Sequence, residues 1–220
     1  MITADTLAEQ AVELMQRDIL AGSLLPGARL AVHDLAKRYG IGVTPLREAL
    51  ARLAGLGLVT ANTQRGFRVA AVSRADLADI TRARQAVEAA ALRLSLLEGD
   101  AEWEASIVAA LHLLRRQASD AGPGAATPAL DAAHKRFHVA LVAGCGSPRL
   151  LRAQSALYDE AYRYRRVMMR RFETWEDFLR SHATLAELAL AGDHVAAQAA
   201  LMAHLESTLT YVYPPAEAMP

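Results

Sequence analysis

The chain has 220 residues, 53% of them hydrophobic and 5% aromatic, with 24 Lys and Arg against 24 Asp and Glu. That length holds a small module beside a larger core, the apolar, aromatic-poor makeup favours helices, and zero net charge argues against indiscriminate nucleic-acid binding. A single cysteine, Cys145, excludes an intramolecular disulfide and CxxC metal chemistry, and reads as a small buried residue. No leader pattern opens the sequence and no stretch approaches the ~18 apolar residues of a membrane span, so a cytoplasmic protein without a membrane partner is expected.

In chain order, residues 3–21 read as an amphipathic helix with Leu7, Ala11, Leu14, Met15 and Ile19 inward. Gly22 stops it, and Leu25-Pro26-Gly27 turns the chain. Val32–Tyr39 is a shorter helix with Leu35 and Ala36 inward. Gly40-Ile41-Gly42 is a tight turn with Ile41 as an apolar plug. The next helix has Leu46, Leu50 and Leu53 at helical spacing and Pro45 in its first turn, where the missing N–H is no loss. Its other face carries Thr44, Arg47, Glu48, Ala51 and Arg52, and Gly57 ends it. Residues 58–62 and 67–71 read as strands joined by the turn Thr63-Gln64-Arg65-Gly66.

This is the pattern of a winged helix-turn-helix. Thr44 and Arg47 lead the face that would read base edges and phosphates, Arg65 and Gly66 form the wing tip, and His33 lies on the DNA side. On spacing alone, a small helical core with an ordinary hairpin fits as well. Charge favours the reader: residues 35–72 hold six basic side chains and one acid, whereas residues 73–220 hold sixteen against eighteen.

After the wing come six helices, near residues 73–97, 100–119, 128–144, 147–172, 174–192 and 193–211, with a Gly/Pro/Ala loop at 120–127. The expected architecture is mostly α: a winged helix-turn-helix over residues 1–72, an all-α six-helix bundle over 73–213, and a loose tail over 214–220.

Four of the seven histidines stand out. His134 and His138 are four residues apart, hence on one helix face. His182 and His204 lie ten and eleven residues either side of Gly192-Asp193. In an antiparallel pair both imidazoles would sit ~15 Å from the turn, at ~1.5 Å per residue, and so be level. Four such imidazoles can converge on one ion in a helical bundle, or they are unrelated histidines filling the core. His194 abuts the turn at the other end, and His112 stands alone.

The segments 19–27, 35–39, 44–59 and 65–69 resemble the N-terminal domain of GntR-type bacterial transcription regulators. One departure is visible: the usual Val-Ser-Arg-Thr-Pro turn is Ile41-Gly42-Val43-Thr44-Pro45, so the arginine that commonly contacts DNA is Val43. The second half resembles the all-α FCD ligand-binding domain of FadR-type members. Arg84-Gln85-Ala86-Val87-Glu88 is similar to its R-x-x-x-E element, and His134-Lys135-Arg136-Phe137-His138 to its D-x-x-F-H element. His182 and His204 match its two later histidines. The resemblance implies a divalent metal helping to hold a carboxylate effector. Here His134 stands at the aspartate position, so His134 becomes a fourth imidazole ligand, Asp131 replaces the aspartate, or three histidines suffice. Imidazoles suit zinc or nickel first, with copper and iron possible. Arg84 is the natural effector-carboxylate partner, or else a salt-bridge partner of Glu88 one turn on. Tyr162 or Arg166 could add to the pocket wall.

The implied function is a homodimeric transcription regulator, not an enzyme, that binds a double-stranded DNA operator and responds to a small carboxylate. The alternative is a helical-bundle metalloenzyme acting on a small carboxylate.

Overall fold

A computed structural model describes residues 6–62, 66–122, 125, 127–169 and 175–214. The chain divides into two compact units, Met1–Ser73 and Arg74–Pro220.

The first unit contains α1 (Leu7–Leu20), β1 (Arg29–Leu30), α2 (Val32–Tyr39), α3 (Val43–Gly55), β2 (Val59–Asn62) and β3 (Gly66–Val69). Thr6 caps α1: its hydroxyl accepts from the Glu9 N–H, and the Glu9 carboxylate accepts from the Thr6 N–H at 2.7 Å. Ala11, Met15 and Ile19 are buried with Leu46, Ala49, Leu50 and Leu53 of α3. Leu7 is not inward; it is 56% exposed, and Ala8 takes the buried place in the first turn. Gly40, at φ 66, ends α2, and Ile41 is buried as the plug. The third helix stops at Gly55, two residues before the expected end, and Gly57 then turns the chain at φ 68.

The sheet is antiparallel, in the order β1-β3-β2. Strand β1 was not foreseen, because two residues carry no readable period. It pairs Arg29 with Arg68 and Leu30 with Phe67. The wing strand β3 ends at Val69, short of the expected 71.

The second unit contains α4 (Arg74–Glu98), α5 (Ala101–Ala121), α6 (Pro128–Val142), a 3-10 turn (Ala143–Cys145), α7 (Pro148–Met169), α8 (Glu176–Leu190) and α9 (His194–Val212). Among the described residues these are the six α-helices the sequence predicts. Thr127, with Pro128 at the first helical position, caps α6, and Asp193 caps α9 through the Ala196 N–H at 3.0 Å. Thr174, the expected start of the fifth of these helices, and the expected end of the preceding helix near 172 lie outside the described residues. Ile107, Leu114, Leu130, Phe137, Leu185 and Leu201 fill the core, each contributing about 1.5–3 kcal/mol by burial. Cys145 is buried, as its sequence reading expected.

Helix α8 pairs with α9 across the Gly192 turn, and α4 runs beside α7 and α9. Helices α4, α6, α7, α8 and α9 thereby enclose one polar region. Among the described residues, no helix is long and apolar enough to cross a membrane.

Candidate metal centre and nucleic-acid interface

The polar region is built from the four histidines. One donor nitrogen from each of His134, His138, His182 and His204 lies within 4.8 Å of all the others. His138 Nε2 is 3.1 Å from His134 Nε2 and 3.4 Å from His204 Nε2. Two nitrogens on one tetrahedral ion at 2.0–2.1 Å are about 3.3 Å apart, so these spacings suit ligands of a common ion. As hydrogen bonds they fit less well. A single ring nitrogen has either one N–H or one in-plane lone pair, and His138 Nε2 faces two neighbours.

Residue packing sets the protonation. His134, His138 and His182 are almost fully buried, and His204 is half-buried. Burial, with neighbouring imidazoles and arginines adding to it, pushes His134, His138 and His204 well below the ordinary histidine range. Burial also lowers His182 to about 4, opposed by its bond to the Phe178 carbonyl. The four rings are therefore neutral at pH 7, which is the form that binds metals. His182 Nδ1 donates to the Phe178 carbonyl oxygen at 2.6 Å, since a carbonyl can only accept. That leaves its Nε2 carrying a lone pair, buried and with no hydrogen-bond partner among the described residues. His138 Nδ1 lies 3.6 Å from Glu88 Oε2, too long for a hydrogen bond but near enough to set a carboxylate beside the ring. The donor set and the unpartnered lone pair both fit a transition-metal ion.

Arg84 forms the salt bridge to Glu88 one turn on, and part of its guanidinium is left over. It is 3% exposed, its Nε donates to Glu88 Oε1 at 2.8 Å, and its Nη2 has no partner among the described residues. Burial raises the Glu88 carboxyl, with Arg84 opposing. A cavity of about 290 Å³ is bounded by Arg84, the four histidines and Arg165.

Asp131, the suggested replacement ligand, is not in the four-nitrogen group; its carboxylate accepts the Tyr162 hydroxyl. Tyr162 is thus tied to Asp131, and the side chain of Arg166 lies outside the described residues. Arg165, which the sequence reading passed over, lines the cavity from α7. The signal was its position seven residues after Tyr158, two turns along one face. His112 is exposed, and His194 is the first residue of α9, away from the cluster.

In the first unit, Thr44 and Arg47 are exposed on α3, His33 is exposed on α2, and Gly66 is exposed at the start of β3. Arg65 lies outside the described residues. Part of the basic surplus is used internally. Arg38 pairs with Asp18 at 2.6 Å, Arg52 lies 4.0 Å from Glu9, and Arg68 donates to the Gly27 carbonyl at 2.9 Å. Gly42 is the N-cap of α3 and offers no side-chain cap to its first N–H groups, a feature that suits phosphate.

Both halves match known families. Residues 7–69 match the family described as "Bacterial regulatory proteins, gntR family", and residues 79–207 match the FCD domain. The HTH-type transcriptional repressor GlaR of Escherichia coli (strain K12) is 40% identical over 196 residues, 87% of this chain and 89% of that protein. An uncharacterized HTH-type transcriptional regulator, BphR of Paraburkholderia xenovorans (strain LB400), is 36% identical over 94% of this chain and 85% of its own length. The solved structure of E. coli McbR/YncC has the same fold, with a TM-score of 0.79 at 20% identity, covering 96% of this chain and 98% of that one.

Fold and relatives together define a DNA-binding transcriptional regulator rather than an enzyme. The chain belongs to the GntR family, in the group whose helix-turn-helix is followed by an FCD domain.

Proposed function

We propose that residues 1–72 read a DNA operator and that residues 73–213 sense a small carboxylate beside a divalent transition metal. The observation carrying this reading is the convergence of four neutral imidazoles, donor atoms within 4.8 Å, on a cavity that also holds a buried arginine with an unpaired N–H. His134, His138, His182 and His204 would hold the ion, zinc or nickel by donor chemistry. When bound, the ion supplies positive charge: four neutral ligands leave it at two, where an aspartate would leave one. Arg84 offers Nη2 to the effector, Glu88 anchors its other side, and Glu88 also lies beside the His138 ring. The engagement of Asp131 with Tyr162 favours the four-histidine set over an aspartate replacement.

On the DNA side, Thr44 and Arg47 read bases and phosphates, and His33, Arg65 and Gly66 contact the flanking backbone. One such reader covers one half-site, so a homodimer on a near-palindromic operator is the functional form. Effector binding shifts the placement of the two readers through its differential affinity for two conformations. GlaR is titled a repressor, which supports repression as the output.

The test joins metal analysis to operator binding. Tag-free protein should contain about one zinc or nickel per chain, and a small carboxylate should release the metal-loaded protein from its own promoter. Protein that takes up no metal on reconstitution, and whose DNA binding ignores carboxylates, would overturn the proposal.

A further inference from the structure

Arg165 is a buried cation without a full set of partners. It is 2% exposed on α7, and one Nη2 hydrogen goes to the Tyr158 carbonyl at 2.9 Å. Its Nε and Nη1 have no hydrogen-bond partner among the described residues. The guanidinium carbon stacks 3.7 Å from the Tyr158 ring centroid, which occupies its face and leaves the N–H edges unspent. Whichever hydrogen the carbonyl takes, one two-pronged edge of the fork stays open. Among the described residues neither buried carboxylate hydrogen-bonds to Arg165: Glu88 Oε1 accepts from Arg84, and Asp131 accepts from the Tyr162 hydroxyl.

Arg84 mirrors this arrangement. Its guanidinium carbon lies 5.5 Å from the same Tyr158 ring, it is held from behind by Glu88, and its Nη2 is unpaired. Two cations therefore lie against one tyrosine ring and both line one cavity, each anchored on one side and open on another. A buried guanidinium with unpaired N–H groups is costly in an empty fold. A ligand with a single carboxylate would satisfy one of them and leave the other as it was. At about 290 Å³ the cavity is at the small end for small-molecule sites, which excludes a bulky occupant.

We infer that the ligand is a short dicarboxylate, one carboxylate taken at Arg84 beside the histidine cluster and the other read by the open fork of Arg165. This rests on the carboxylate-sensing reading above and adds to it a second anionic group and the residue that recognises it. Arg165 is thus the specificity-determining residue: it separates dianions from monoanions of the same length.

The experiment is calorimetric titration of the full chain, reconstituted with zinc, with succinate, glutarate and adipate, each beside the monocarboxylate of equal length (butyrate, valerate and caproate). The best dicarboxylate should bind at least ~100-fold tighter than its monocarboxylate match, the scale expected for a buried charge pair. Arg165→Gln should reduce that preference to below ~10-fold. Arg165→Lys, which keeps the charge and loses the fork, should fall between. Circular dichroism checks that each variant is folded. Should Arg165→Gln not fold, the wild-type panel and Arg165→Lys decide. Equal binding of the two series by wild type overturns the assignment and leaves the carboxylate sensor standing. A folded Arg165→Gln protein that keeps the full preference overturns the role of Arg165. If no carboxylate of either series binds the zinc-loaded wild type, both readings fall.

Discussion

Replacing His138 by alanine removes the ring around which the other three imidazoles are grouped. Its Nε2 is 3.1 Å from that of His134 and 3.4 Å from that of His204, and its ring centroid is 5.7 Å from that of His182. Losing an outer orienting partner of a metal ligand costs roughly 10–100-fold in affinity, so losing the ligand itself should cost at least about 100-fold. That is about 2.8 kcal/mol at 1.4 kcal/mol per decade. With free zinc 1,000-fold above Kd, the metal adds about 4.1 kcal/mol to stability. With zinc only tenfold above Kd it adds about 1.4 kcal/mol. At about 2–4 °C per kcal/mol for a unit of this size, the zinc-induced rise in Tm should shrink by about 5–11 °C. The assay is thermal unfolding of wild type and His138→Ala, each with zinc and with EDTA. Deleting a buried ring also leaves a cavity, but that cost is present in both conditions and cancels in the difference of differences. Affinity for operator DNA in the absence of effector should persist, because α3 is untouched. An equal zinc-induced rise in the two proteins would refute the assignment of His138 as a ligand.

Three other perturbations test separate parts of the argument. Arg47→Ala removes an exposed cation near the start of α3 and should weaken operator binding by about 1–3 kcal/mol or more, with an unchanged circular dichroism melt. Gel-shift affinity equal to wild type would show that α3 does not present Arg47 to DNA. In EDTA, the second unit should lose stability as pH falls from about 6.5 towards about 4. His182 is lowered to about 4 and the other three lie well below their ordinary range, so the unfolded chain binds more protons across that window. The stability they contribute is complete above the unfolded pKa and disappears on acidification. The raised Glu88 carboxyl acts in the opposite direction, one group against four. A Tm that is flat or rising on acidification would contradict the buried neutral imidazoles. Finally, a Cβ at Gly99 would sit 2.2 Å from the Trp103 ring and 2.4 Å from the Ser95 carbonyl oxygen. Gly99→Ala should cost about 1–3 kcal/mol in chemical denaturation through overpacking. An unchanged midpoint would mean that the α4–α5 corner yields freely.

Much of the fold was legible because helical period is a local property. The stripe Leu46, Leu50, Leu53 announced the packed back of α3, and Gly192-Asp193 placed the turn that levels His182 with His204, whose rings lie 4.6 Å apart. The i,i+4 spacing of His134 and His138 likewise needed no tertiary information. What escaped depended on partners distant in sequence. Strand β1 exists only as an edge for β3, and in the first turn of α1 the packing covers Ala8 rather than Leu7. In the run 158–171 several arginines follow one another at about 100° per residue, and the stacking of Arg165 on Tyr158 is a packing fact that period alone does not give. The salt bridge to Glu88 does not use up the Arg84 side chain, since a five-donor guanidinium can hold Glu88 and still present an edge to the cavity.

The bond from His182 Nδ1 to the Phe178 carbonyl has an evolutionary consequence. The acceptor that selects the tautomer is main chain, present whatever side chain residue 178 carries. Drift at that position can reshape the wall against which the ring rests, 4.3 Å away between centroids. It cannot delete the atom that keeps Nε2 unprotonated. Of the contacts around the four imidazoles, this one is inherited with the helix itself, whereas the contact of His138 with Glu88 can be lost in a single codon change.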